Sequence, residues 1–164
     1  MMRLLSIFPA LLLLAACGTG EAGEVERAEA EAAFTVSADM PAIVVYKTAT
    51  CGCCNGWIEH LREAGFTVDA RDVRDIMTVK RDAGVPVAMS SCHTALVDGY
   101  VVEGHVPAEH VARMIEERPE IVGIAAPGMP IGSPGMEGGT PEPYQVLTIG
   151  HDGSSGVFAD VDPR

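Results

Sequence analysis

The chain has 164 residues, of which 11 are Lys or Arg and 23 are Asp or Glu, so its formal net charge is −12 at pH 7. This composition argues against nucleic-acid binding, because no basic patch is present to neutralise phosphates. Acidity attracts cations without selecting one of them, and the length allows a domain with a real hydrophobic core.

Residues 1–16 are predicted to be a secretory signal. Arg3 precedes the short apolar run 11–14, which is too short to span a membrane. Residues 14–17, Leu-Ala-Ala-Cys, resemble a bacterial lipobox, which implies cleavage before Cys17 and acylation of that cysteine. Several acyl chains give durable membrane attachment, where one chain is marginal. An ordinary signal peptide cut at small residues is the alternative.

The segment after the signal is predicted to be an acidic tether, residues 17–39, that holds the domain off the bilayer. Five Glu and one Arg precede Phe34 in it, with little apolar mass. Gly18, not Asp, follows Cys17, which favours sorting to the periplasmic face of an outer membrane, or else to another extracytoplasmic membrane surface. Residues 40–164 are predicted to be the folded domain.

Within this domain the patterns predict the order strand, helix, strand, helix, strand, strand, helix. The predicted elements are a strand at 42–48, a helix starting near Asn55 and ending at Gly65, a strand at 66–73, a helix at 75–84 with Asp75 as N-cap, a hairpin at 94–104 and a helix at 107–119. This order resembles the thioredoxin fold. In that fold a cis-proline precedes the third strand, so Pro86 is the candidate, and a trans-proline at a strand start is the alternative.

The C-terminal part departs from a minimal thioredoxin. Residues 126–144 are too rich in Gly and Pro for regular structure, and the runs 144–150 and 156–160 predict an extra hairpin. The predicted fold class is therefore α/β: a single thioredoxin-like domain with a Gly/Pro/Met-rich loop and a C-terminal β-hairpin.

The stretch TCGCCNG places Cys51, Cys53 and Cys54 where the first strand meets the first helix. Unpaired N–H groups and the partial positive charge at a helix start favour thiolates, the form that reacts and binds metals. Cys51 and Cys54 have C-x-x-C spacing, and Cys51 and Cys53 have C-x-C spacing. Either pair can converge on one soft ion.

A second group of candidate ligands surrounds the predicted hairpin. If the Asp98-Gly99 turn sets the register, Thr94 pairs with Glu103 and Cys92 lies opposite His105. This end of the hairpin should face the thiols of the first helix, and it also carries His93. Four cysteines and two histidines would then share one pole of the domain.

Thiolates supported by imidazole and thioether select Cu(I), with Zn(II) as the usual rival. Met129 and Met136, in the repeats P-G-M-P and P-G-M-E, suit a low-affinity transfer site on a flexible loop. Simple packing of these methionines over the domain is the alternative. His60 is predicted to be solvated or a minor ligand, His110 to be a surface residue and His151 to lie in a turn.

Two alternatives to metal binding stay open for the cysteines. In an oxidising compartment the four cysteines of the domain allow two structural bridges, although adjacent Cys53 and Cys54 argue against two regular ones. Thiol–disulfide exchange through Cys51 and Cys54, with Pro86 facing them, is the second alternative. An empty thiolate site for copper can also oxidise to a disulfide.

Three stretches resemble domain-of-unknown-function family 411: VYKTATCGCCNGWIEHLREAGF, GVPVAMSSCHTALVDGYVVEGHVPAEHV, and PGMPIGSPGMEGG followed by EPYQVL. The resemblance runs from about residue 42 to residue 147. It implies a thioredoxin-like fold, an exported setting, and a metal-binding role that some members link to copper resistance. The shared polar positions map onto Cys51, Cys53, Cys54, Cys92, His93, His105, Met129 and Met136.

The expected function is therefore that of an exported, membrane-anchored protein that binds Cu(I), or zinc, and buffers it or exchanges it with a copper-donating or copper-accepting partner protein. No acid–base pair, phosphate loop or hydrolase nucleophile is evident, which favours a carrier over an enzyme. The enzymatic alternative is a periplasmic thiol–disulfide oxidoreductase. A partner-docking module with bridges for stability only is the third class.

Overall fold

A computed structural model describes residues 34–164, so the signal, Cys17 and most of the tether lie outside the described residues. The elements are β1 (Ile43–Lys47), α1 (Gly52–Glu63), β2 (Val68–Asp72), α2 (Ile76–Asp82), a 3₁₀ turn (Val87–Met89), β3 (Thr94–Val97), β4 (Tyr100–Glu103), α3 (Ala108–Glu117), β5 (Gly123–Ala125), β6 (Tyr144–Ile149) and β7 (Val157–Val161). No helix in this part of the chain is long and apolar enough to cross a bilayer.

The strands form one mixed sheet in the order β2-β1-β3-β4-β5-β6-β7. β1 runs parallel to β2 and β4 runs parallel to β5, while the other neighbours are antiparallel. The predicted α/β class and C-terminal hairpin are confirmed, since β6 pairs with β7. β5 was not predicted, and this three-residue strand joins that hairpin to the rest of the sheet.

The first helix begins three residues before its predicted start. It starts at Gly52 with Cys51 as its N-cap, so Cys53 and Cys54 both lie in its first turn. Its end agrees with the prediction, because the last helical residue is Glu63 and Gly65 has a φ of 98°, which only glycine adopts without strain.

Pro86 is not a cis-proline. Among the described residues every peptide bond is trans, and Pro86 has φ −64° and ψ 141° as the N-cap of the 3₁₀ turn. It does not enter the third strand, because β3 begins only at Thr94. The prediction of a cis bond at Pro86 is therefore wrong.

The hydrophobic core lies between the sheet and the inner faces of α1 and α3. Trp57 and Leu61 of α1 and Met114 of α3 have no solvent exposure. The indole Nε1–H of Trp57 also donates to the carbonyl oxygen of Val106 at 2.7 Å. This bond joins the middle of α1 to the chain that follows β4, and both of these segments lie next to candidate ligands.

His60, one turn further along α1, links this helix to α3. The N–H of Ala108, the first residue of α3, donates to Nε2 of His60 at 3.0 Å. Burial lowers the pKa of His60, although the neighbouring carboxylates of Glu109, Glu63 and Glu137 raise it in part. His60 therefore serves as a neutral hydrogen-bond acceptor for α3, a structural role that its position in the sequence did not indicate.

We expect this bond to make folding stability sensitive to acid. An unfolded histidine has a pKa near 6.5, and the folded pKa of His60 lies below it, so the unfolded state binds more protons as the pH falls through 6.5. The His60 contribution is thus complete above pH 6.5 and is lost below it. His60→Gln keeps an acceptor that does not titrate, and urea unfolding at pH 7.5 and pH 5 should show a smaller loss of unfolding free energy than in the wild type. Equal losses in both proteins would show that His60 carries no such linkage.

Candidate metal centre

The first part of the site is the start of α1. Cys51 and Cys54 are joined by a disulfide, with Cys51 half-buried and Cys54 fully buried. Cys53, between them, is a free thiol whose Sγ lies 3.5 Å from that of Cys51. In this oxidised state the two bridged sulfurs are not thiolates, so Cys53 is the ligand that α1 offers.

The second part is the segment before β3, residues 90–93, which we call the Cys92 arm. The predicted hairpin register is confirmed: Thr94 pairs with Glu103, and Asp98 and Gly99 both have positive φ, as a two-residue turn requires. The pairing continues into the arm, because the N–H of Gly104 donates to the carbonyl of His93 at 3.2 Å. As a result, Cys92 lies opposite His105.

The two parts meet at Cys92. Its Sγ lies 3.8 Å from Sγ of Cys53, 3.0 Å from Nε2 of His105 and 3.4 Å from Nδ1 of His93. The ligand atoms form two overlapping groups, each within 4.8 Å: Cys51, Cys53, Cys54 and Cys92 in one, and Cys92, His93 and His105 in the other. Cys92 is the member that they share.

His105 is oriented by its other ring nitrogen. Nδ1 lies 2.7 Å from the carbonyl oxygen of Pro134, and because a carbonyl only accepts, Nδ1 carries the proton. Nε2 of the neutral ring then presents its lone pair toward Cys92. Burial lowers the pKa of His105, which favours that neutral form. A backbone carbonyl on the distal nitrogen is the usual support of a metal-binding histidine.

His93 is fully buried between two rings. Its centroid lies 4.3 Å from that of Trp57 and 4.9 Å from that of His105. Burial, with the nearby His105 and Lys80, holds its pKa well below the ordinary value. Its Nε2 has no hydrogen-bond partner among the described residues. The ring atom that faces Cys92 is the other nitrogen, Nδ1, so Nδ1 is the atom that His93 offers to a ligand.

The surroundings of Cys92 within the protein favour the protonated thiol. Burial, followed by the proximity of Cys53, raises the pKa of Cys92 to about 11. A cation that binds here must therefore displace a proton from the thiol. Soft Cu(I) and borderline Zn(II) bind thiolates strongly enough to do so, whereas a donor set of sulfur and imidazole does not suit calcium or magnesium. The residues present thus fit copper or zinc.

The two loop methionines have different surroundings. Met129 is 54% exposed and lines a cavity of about 220 Å³ together with Cys92, Ser90, Ser91 and Gly128. Met136 is half-buried and follows Gly135, whose backbone packs on the first turns of α1. We call residues 126–143 the Met loop. They contain no helix or strand, as predicted.

The remaining histidines lie outside both groups of ligand atoms. His110 is half-buried and meets the Phe158 ring edge-on, with centroids 6.4 Å apart. His151 is exposed in the turn between β6 and β7, as predicted. His60 accepts from the backbone of α3 and is not a member of either group.

Comparison with known proteins gives two kinds of match. The family described as "Protein of unknown function, DUF411" matches residues 89–136. Two solved structures of the copper resistance protein CopG, form 2 and form 1, are each 46% identical, with a TM-score of 0.71, and cover 99% of their own chain and 75% and 76% of this one. The chain belongs to the DUF411 family. No protein with a curated description matches it.

The matched stretch of the DUF411 family includes the Cys92 arm, His105 and both loop methionines, but it begins after the thiols of α1. In this DUF411 domain, the site is adjoined by two further residues, neither of which the sequence analysis singled out. Lys80 of α2 and Glu103 of β4 form a fully buried ion pair next to His93. The one signal for Glu103 is that it is the single charged residue in the otherwise apolar strand YVVE.

Proposed function

We propose that this protein binds copper as Cu(I) and buffers it or passes it to a partner protein. The observation that carries the proposal is the convergence on Cys92, whose Sγ lies 3.0 Å from Nε2 of His105 and 3.8 Å from Sγ of Cys53. Free thiols and neutral imidazoles at this spacing can share one soft cation. The relatives of known structure carry the name copper resistance protein, which supports copper over zinc.

The surroundings of the cluster favour a carrier. Cys92 lines an open cavity with Met129, so a thioether lies beside a thiol at the protein surface. Thioethers bind Cu(I) more weakly than thiolates, so Met129 suits the entry or exit of the ion. We propose that Met136 supplies a second thioether from the same loop. We also propose that the Cys/His cluster is where the Cu(I) ion is stored.

The fold and the cellular location that we propose for this site follow from the sequence. The parallel pair β1-β2, with α1 between them in the chain, and the antiparallel hairpin β3-β4 have the order expected of a thioredoxin-like domain. We propose that lipid on Cys17 anchors the domain to an extracytoplasmic membrane surface. An exported location also provides the oxidising surroundings in which the Cys51–Cys54 bridge is stable.

Anaerobic Cu(I) titration of the mature protein, with and without prior reduction, tests the metal-binding proposal. The reduced protein should bind Cu(I) with the higher affinity, because reduction adds the Cys51 and Cys54 thiolates to the ligands already free. The oxidised protein should retain weaker binding through Cys53, Cys92 and the two histidines. Competition by Zn(II) measures selectivity. Absence of stoichiometric Cu(I) uptake in both redox states would rule out the proposal.

A second function is favoured by one observation, the Cys51–Cys54 bridge at the start of α1. The half-buried Cys51 and fully buried Cys54 would suit attack on an external disulfide by the first thiol and resolution by the second. The metal-free protein, first reduced with dithiothreitol and then freed of it, should reduce insulin disulfides while its own Cys51–Cys54 bridge re-forms. Loss of this reaction in Cys51→Ser would establish the oxidoreductase activity. Metal uptake without insulin reduction would leave the carrier as the function.

A further inference from the structure

A buried ion pair lies directly behind the candidate site. Nζ of Lys80 and Oε1 of Glu103 are 2.5 Å apart, and their side chains are 2% and 0% exposed. Transferring two charges from water to the interior is costly, and apolar residues of similar size at such positions are often at least as stable. Net stabilisation is therefore a weak reason for a pair in this place, and its contacts point to another role.

The pair binds the backbone on both sides of Cys92. Oε1 of Glu103 accepts from the N–H of Ser91 at 2.6 Å, and Nζ of Lys80 donates to the carbonyl oxygen of His93 at 3.3 Å. Both groups also bond the hydroxyl of Thr94, where β3 begins. The Cys92 arm is thus held before and after the cysteine by two charged side chains.

The geometry points to Lys80 and Glu103 as positioning residues of the metal site. We propose that they hold the Cys92 arm so that the Cys92 thiol stays between Cys53 and His105. Charged groups make stronger hydrogen bonds than neutral ones, which suits them to fixing a backbone segment without regular structure. The effect on metal affinity rests on the proposed function, whereas the effect on the arm itself does not.

Two doubly substituted proteins separate positioning from charge burial. Lys80→Met with Glu103→Leu removes both charges and both bonds to the arm. Lys80→Met with Glu103→Gln also removes both charges but keeps an acceptor for the Ser91 N–H. Val102→Ala, at a fully buried core position of β4 that makes no side-chain hydrogen bond to the arm, is the control for loss of stability alone.

Two readouts are needed, one with metal and one without. The Met/Leu protein should lose about 10- to 100-fold in Cu(I) affinity, as outer-shell substitutions do, and the Met/Gln protein should lose less. In the metal-free oxidised protein, alkylation of Cys92 by iodoacetamide, mapped by mass spectrometry, should be at least tenfold faster in Met/Leu than in the wild type. Val102→Ala should change both quantities by less than about twofold.

The outcomes keep the two proposals apart. If no protein, including the wild type, binds Cu(I), the proposed function fails, and the alkylation rates still test the positioning role. A folded Met/Leu protein with wild-type affinity and wild-type alkylation would overturn the inference. If Met/Leu does not fold, the Met/Gln protein carries the test, because it has lost the bond to the His93 carbonyl. Its Cys92 should be alkylated faster than in the wild type, and a wild-type rate there would overturn the inference.

Discussion

Replacing Cys92 with serine is expected to lower the Cu(I) affinity of the reduced protein by at least about 100-fold. Substitutions that only orient a ligand cost 10- to 100-fold in metal affinity, and a ligand shared by two groups should cost no less. Within residues 34–164, Cys92 is the one residue that belongs to both groups of ligand atoms. Competition with a Cu(I)-specific chelator under anaerobic conditions measures the change.

The neighbouring Ser90→Ala protein is the matched control for this substitution. The hydroxyl of Ser90 is buried without a hydrogen-bond partner among the described residues, so its removal should leave the arm and the affinity unchanged. Cys54→Ser should reduce affinity about as much as Cys92→Ser if the thiols of α1 and the Cys92 arm hold the same metal. An affinity of Cys92→Ser within about threefold of the wild type would show that the two clusters act separately.

The convergence on Cys92 could be predicted because one turn sets the geometry. A two-residue turn at Asp98-Gly99 fixes which residues of β3 and β4 face each other, and the register extends from Thr94 and Glu103 to Cys92 and His105. The spacing of apolar residues and the residue types of a turn are local properties, so they can be identified in a single sequence. The same holds for Asp75, whose carboxylate accepts from the N–H of Thr78 at the start of α2 as predicted.

What the sequence analysis missed depends on distant parts of the chain. Nothing in the pattern of the second helix singles out Lys80, and only the fold brings it to Glu103, which lies in a different element. Likewise, glycine is a poor helix former, so Gly52 did not indicate that α1 begins there, with Cys51 as N-cap. The cis and trans forms of an X–Pro bond differ by only about 0.5–1 kcal/mol. The tertiary surroundings of Pro86 therefore decide which form it adopts, and the local sequence does not.

The second large effect is expected from Gly135→Ala in the Met loop. Gly135 has a φ of 82°, and a Cβ there would lie 2.5 Å from the carbonyl oxygen of Cys53 and 2.7 Å from the amide nitrogen of Trp57. Both atoms belong to the backbone of α1, which cannot yield easily, so the loop must move away. The left-handed conformation adds about 1–2 kcal/mol for a residue other than glycine.

The displaced loop should weaken the metal site through His105. Pro134, next to Gly135, supplies the carbonyl that accepts from Nδ1 of His105 at 2.7 Å. Without this acceptor the tautomer with a free Nε2 is no longer fixed, and Cu(I) affinity should fall about 10- to 100-fold. Chelator competition measures the affinity. Hydrogen exchange should show lost protection at Gly132 and Met136, whose amides donate within the loop.

Two further variants identify the contact as the cause. Gly138→Ala lies in the same loop, where an added Cβ meets nothing within 4 Å, and it should behave as the wild type. Gly56→Ala approaches from the helix side, because its Cβ would lie 2.9 Å from Cα of Gly135, and it should reproduce the loss of affinity while favouring helix formation. If Gly135→Ala and Gly56→Ala keep wild-type affinity while hydrogen exchange shows the loop released, the Pro134 carbonyl is not what prepares His105 for the metal.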